Sequence, residues 1–251
     1  MMRPIKLFAV LLVLAFAGYV EAQTPKKAKH RIVIDLAHKQ IFWNDPAGVE
    51  GKDPSLVNRI KYMTGEITKT ANSVDAELVY VKDEIKPEQL TKGSLLFIHI
   101  PSGQYTPAEV SAVTKFVSNG GSLFVVMDAD YWSNLKQTNV NDLIRPFGIQ
   151  FDGANPDSLS GGTTKAGLIT PKPLKISYHG ARIINGDGTP FCYNIRTEKF
   201  PFGVYKEIKN GGKIIVMGDG MVSLYMTSWE GVNDYQCQEF MHDTFQWLLK
   251  R

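Results

Sequence analysis

Residues 94–127 carry the pattern that most restricts what this chain can fold into. Ser94-Leu-Leu-Phe-Ile-His-Ile100 is a near-continuous apolar run, as expected of a strand covered on both faces. Thr106-Pro107-Ala108-Glu109 then reads as a capping box with Pro at the first helical position. Val110, Val113, Phe116 and Val117 follow at helical spacing. Asn119-Gly120-Gly121 supplies the left-handed backbone that ends a helix, and Ser122–Met127 is a second apolar run closing on Asp128. Strand, helix and strand joined this closely make a right-handed crossover with parallel strands, which places the chain among α/β proteins.

The flanking sequence extends the pattern. Arg31–Leu36 and Ala76–Val81 predict strands, and Leu56, Ile60, Met63 and Ile67 predict a helix from Ser55 towards Asn72. A short helix is expected over Val140–Arg145. Gly203–Ile208 and Lys213–Met217 predict a hairpin across Asn210-Gly211-Gly212. A last helix, from Asn233 to Lys250, turns Phe240, Met241, Thr244, Phe245, Leu248 and Leu249 inward. Asp152–Thr189 is rich in Gly, Pro, Ser and Thr and reads as part of a loop-rich insertion, with short strands, over residues 152–201. The expectation is one three-layer α/β/α domain over residues 23–251 with a mostly parallel, flavodoxin-like sheet. Asn119–Asp128 is echoed by Asn210–Asp219: a Gly-rich turn, an apolar strand, then Asp.

The first residues read as an address. Arg3 and Lys6 precede the apolar run Leu7–Gly18, and Val20-Glu21-Ala22 offers small side chains for cleavage before Gln23. Residues 1–22 are therefore expected to be a signal peptide, and the protein periplasmic or secreted. The run is too short to cross about 30 Å of hydrocarbon, so no membrane span is expected after cleavage. A net charge of +3 over 251 residues is too weak to argue for nucleic acid, and Lys26–Arg31 reads as a solvated basic leader. Cys192 and Cys237 are expected to be buried thiols.

In open α/β sheets, ligands bind beyond the carboxyl ends of the strands. There the sequence puts Asp35 and His38, then His99 and Ser102, then Asp128, Asp130, Tyr131 and Trp132, then Asp219 and Met221. His38, His99, Asp128 and Asp219 suit acid–base chemistry near neutral pH, or a metal held by imidazole and carboxylate; the sequence names neither metal nor cofactor. Asp35, Ser102, Asp130, Tyr131, Trp132 and Met221 complete a ligand surface. Trp43, Trp132, Trp229, Tyr131 and Tyr225, beside Asp and Asn, suit a platform for carbohydrate or another small polar ligand. Ser102 lacks the G-x-S-x-G elbow of a nucleophile.

The element order, the segment Val117-Ser118-Asn119-Gly-Gly-Ser-Leu-Phe-Val-Val126 and the late Gly211-Gly-Lys-Ile-Ile-Val-Met-Gly-Asp219 resemble the class I glutamine-amidotransferase-like fold. More narrowly they resemble its non-amidotransferase branches: exported uncharacterised bacterial proteins, ThuA-like proteins and an intraflagellar-transport-type domain. In those branches the first strand often ends in Asp-x-x-His, here Asp35-Leu-Ala-His38. The resemblance covers Arg31–Asp152 and Phe202–Lys250. True amidotransferases place a Cys on the turn that here reads Asp128-Ala129-Asp130, and no His-x-Glu follows the last strand. A thiol–imidazole pair cannot be built from these positions. The resemblance thus implies a ligand-binding or accessory protein. A hydrolase built on the His and Asp residues and a protein-assembly module stay open as alternatives.

Overall fold

The computed structural model describes residues 28–91, 93–157, 161–225 and 234–250. The expected signal peptide and Trp229 lie outside them. The elements are β1 (His30–Asp35), α1 (Pro54–Ser73), β2 (Ala76–Val81), β3 (Ser94–His99), α2 (Pro107–Ser118), β4 (Ser122–Val126), α3 (Asn141–Ile144), β5 (Ile149–Ala154) and β6 (Gly162–Thr164). They continue with β7 (Lys175–Ile176), β8 (Arg182–Gly186), β9 (Thr189–Asn194), β10 (Gly203–Glu207), β11 (Lys213–Met217) and α4 (Cys237–Leu249).

One sheet runs β2-β1-β3-β4-β11-β10-β9-β6-β7, and β5 pairs with β8 in a separate ribbon. From β2 to β11 the pairings are parallel, and from β11 onward they are antiparallel. The middles of β1, β3, β4 and β11 are apolar because both faces are covered there, whereas edge strand β2 exposes Glu77. Ile32, Ile34, Phe97, Phe124 and Met217 pack with α1 and α4 on one face. Val33, Leu96, Ile98, Val125 and Val216 pack with α2 and α3 on the other. Each such buried side chain contributes roughly 1.5–3 kcal/mol relative to exposure, so these layers dominate the stability.

Helix starts follow local chemistry. Asp53 caps α1, accepting from the backbone N–H of Ser55 and Leu56, with Pro54 at the first helical position. At α2, Thr106 Oγ1 accepts from Glu109 N, and Glu109 Oε2 accepts from Thr106 N. The two Asn-Gly-Gly turns meet because β4 and β11 are neighbours: Gly212 N donates to Val117 O at 2.7 Å.

The insertion is more regular than its composition suggests. β6, β7 and β9 extend the main sheet, while β5 and β8 form the ribbon. These strands are short, down to Lys175–Ile176, and their order comes from partners distant in sequence: β9 pairs with β10 and β6, β6 with β7, and β5 with β8. A periodicity read along the chain has no window in which to register such pieces.

Candidate functional site

β1, β3, β4 and β11 run the same way, so the residues that follow them share one rim of the sheet. There the structure sorts the predicted site residues into two hydrogen-bonded groups.

The first group lies beyond β1. Asp35 Oδ1 accepts from the backbone N–H of Ala37 at 2.9 Å and of His38 at 3.3 Å, a tight turn that brings the His38 ring back over the strand end. His38 Nδ1 stands 2.9 Å from Asp35 Oδ2, and its Nε2 stands 3.1 Å from Glu109 Oε1. Both ring nitrogens thus donate to carboxylates, which requires the imidazolium form. Burial alone would lower the His38 pKa, but the hydrogen bond and charge of Asp35, then Glu109, raise it above the ordinary value. Tyr105 donates to Asp35 Oδ2 at 2.9 Å and stacks on the imidazole, ring centroids 3.8 Å apart. Burial and the Asp35 charge hold that phenol in its neutral form. Glu109 also accepts from Ile85 N at 2.9 Å. Asp35, His38, Tyr105 and Glu109 are all buried. β1 lies between β2 and β3, the switch in strand order where such folds leave a crevice. Here a network whose members satisfy one another occupies that place. Ser102 is drawn into the same turn: its Oγ donates to Lys39 O at 2.7 Å.

The second group lies beyond β3, β4 and β11. His99 is fully buried among Phe42, Trp43 and Phe97, and its Nε2 donates to Gly220 O at 3.2 Å. Burial pushes its pKa down to about 4, so it is neutral. Asp128 accepts from Ala129 N at 2.7 Å through Oδ1 and from Gly220 N at 2.9 Å through Oδ2. Burial outweighs those bonds and pushes the Asp128 pKa up to about 6. Asp219 receives Met221 N and His179 N, each at 2.9 Å, and so fixes the β7–β8 connection over the strand ends. Gly220 is the close-approach point, where a Cβ would lie 3.0 Å from Asp128 Oδ2 and 3.3 Å from His99 Nε2.

A cleft of about 520 Å³ opens over this second group, lined by Asp128, Ala129, Tyr131, Trp132, His179 and Met221. Tyr131 is 84% exposed and meets Trp132 edge to face, with centroids 4.7 Å apart. Trp132 in turn rests on Phe42. Asp130 pairs with the buried Arg182, which also donates to Ser133 O at 2.6 Å and so pins the 130–133 loop to β8. Trp43 and Tyr225 belong to the core and form no ligand platform. A groove of about 600 Å³ between residues 87–90 and α2 is larger, but Lys115 is its one charged wall residue, and it lies away from the strand ends. Among the described residues no group of three or more His, Cys, Asp or Glu could hold a metal ion.

His99, Asp128 and Asp219 thus meet around Gly220, while His38 is bonded into the Asp35–Glu109 network. Glu109, Tyr105 and His179 were outside the expected site. Glu109 was visible as a cap, but its second oxygen reaches back to His38 across the gap between β1 and α2. His179 sits in the insertion, where no periodic pattern fixed its place.

The model of the IFT52 GIFT domain matches residues 61–160. The mmIFT52 N-terminal domain superposes with a TM-score of 0.59 at 19% identity, covering 88% of this chain and 98% of that one. A cytoplasmic protein from Salmonella typhimurium gives 0.56 at 11% identity, covering 87% and 98%. A ThuA-like protein from Bacteroides uniformis ATCC 8492 gives 0.49 at 14%, covering 91% and 94%. A search of curated protein sequences returns no match. At these identities the two likenesses with TM-scores above 0.5 establish the fold alone: an α/β domain with a large, partly parallel sheet.

Proposed function

We propose that the protein is an exported, non-catalytic ligand-binding or accessory module, and that it holds a carbohydrate or another small polar ligand in the cleft over β4 and β11. The observation that carries this reading is the cleft itself: an exposed Tyr131 ring, the Trp132 edge and the Asp128 carboxylate around one opening of about 520 Å³. Flat rings suit the C–H faces of a sugar, and a carboxylate with spare lone pairs accepts from hydroxyls. The turn after β4 offers no thiol or hydroxyl, and both cysteines are buried elsewhere, so glutamine hydrolysis has no nucleophile there. Export rests on the sequence of residues 1–22.

A thermal-shift panel of neutral mono- and disaccharides tests the reading. A ligand present at a hundred times its Kd stabilises by about 2.7 kcal/mol, which raises Tm by about 5–10 °C in a chain of this size. A panel in which no sugar moves Tm removes the carbohydrate assignment. Hydrolysis is the second reading, favoured by a buried Asp128 held at about 6 beside His179. Turnover of a chromogenic glycoside or ester, abolished in Asp128→Asn, would put it first.

A further inference from the structure

Resting on that reading of the cleft, we propose that the natural ligand carries a positively charged ammonium group, seated between the Asp128 carboxylate and the faces of Tyr131 and Trp132. A carboxylate offers about four acceptor positions, and Asp128 uses one on each oxygen for a backbone N–H. It forms no ion pair among the described residues, although it is 3% exposed. Two basic groups act on Asp128: Arg182, committed to Asp130 and to the carbonyls of Ser133 and Asp152, and His179 on the cleft wall, whose backbone N–H is bound to Asp219. Acidic groups gather here: Asp157, Asp219 and Asp128 all act to keep the Tyr178 phenol protonated, after its burial. In a chain of net charge +3 this acidity is local. A hydroxyl could accept the geometry, but a cation also offsets the charge of a buried carboxylate that has no ion pair of its own.

The walls agree. Tyr131 and Trp132 stand 82° apart in plane and both line the cleft, making a corner of aromatic surface beside the acid. Rings so placed attract an ammonium within about 6 Å of their centroids, best for Trp. Met221, which with Ala129 completes the apolar wall, is a soft surface that suits N-methyl or methylene groups. An anion would meet Asp128 at the mouth of its own site.

Calorimetric titration of the full chain with two matched pairs decides the matter: choline against its neutral isostere 3,3-dimethylbutan-1-ol, and glucosamine against glucose. The expected result is that each cation binds at least about tenfold tighter than its neutral partner, as for hydrogen bonding to a charged group. Asp128→Asn should erase that ratio. Tyr131→Ala, at an exposed position, should weaken choline about two- to fivefold. If Asp128→Asn fails to fold, the wild-type ratios and Tyr131→Ala still decide. Equal binding of glucose and glucosamine overturns the inference and leaves the cleft a neutral-sugar site. Binding of neither cation also overturns it, and the sugar panel then judges the cleft on its own. A ratio that survives in Asp128→Asn places the cation elsewhere and refutes the assignment.

Discussion

His38 keeps its proton because two carboxylates face it from opposite sides, and that makes it a stabilising cation with a defined pH window. Its folded pKa lies above the ordinary 6.5. The stability it adds is therefore complete below pH 6.5 and is lost as the pH climbs through the folded value. Glu109 has the opposite sign: its backbone and hydroxyl donors and His38 outweigh burial and lower its pKa, so its contribution is lost on acidification. Replacing His38 by Gln leaves two buried carboxylates uncompensated, at a cost of about 3–5 kcal/mol. Urea unfolding at pH 6 and pH 9 should show wild-type stability falling between them, with that slope much reduced in His38→Gln. Equal slopes would mean that the imidazole is neutral in the fold. The sequence showed half of this site. Asp35-x-x-His38 was legible as a local pair, whereas the Glu109 contact depends on how α2 docks against β1, which no local spacing encodes.

At the scale of elements, what was legible is what chain neighbours decide. β2 and β11 fall on the predicted residues, and α2 starts at its capping box. The insertion was less legible, because strands such as β7 owe their conformation to partners distant in sequence. The repeated Asn-Gly-Gly looked like one local solution used twice; in space the two copies are in contact. A Cβ on Gly212 would lie 1.6 Å from the Gly121 carbonyl oxygen, a backbone atom that cannot rotate away. Gly212→Ala should cost about 3 kcal/mol through forced separation of β4 and β11, whereas Gly65→Ala, on α1 with open space around it, should be neutral or stabilising. Chemical denaturation of the two variants tests the contrast. Similar stability for both would show that the turns can separate without disturbing the sheet.

For the whole molecule, sheet order explains why the cleft lies where it does. The switch beside β1 is filled by Asp35, His38, Tyr105 and Glu109, so the remaining opening is displaced to the ends of β4 and β11, under the β7–β8 connection. The same packing governs the cysteines. Cys192 lies in β9 and Cys237, with Ser177 Oγ 3.6 Å from its sulfur, opens α4; both are buried thiols, and burial raises both pKa values. Thiolate is the reactive form, so in the folded protein both should resist modification even under the oxidising conditions that export would bring. A thiol reagent should therefore titrate neither cysteine in native protein recovered from outside the cytoplasm, and both once guanidinium is added. The same preparation should begin at Gln23 if residues 1–22 are removed on export. Denatured protein that yields no thiol would show that the cysteines have paired.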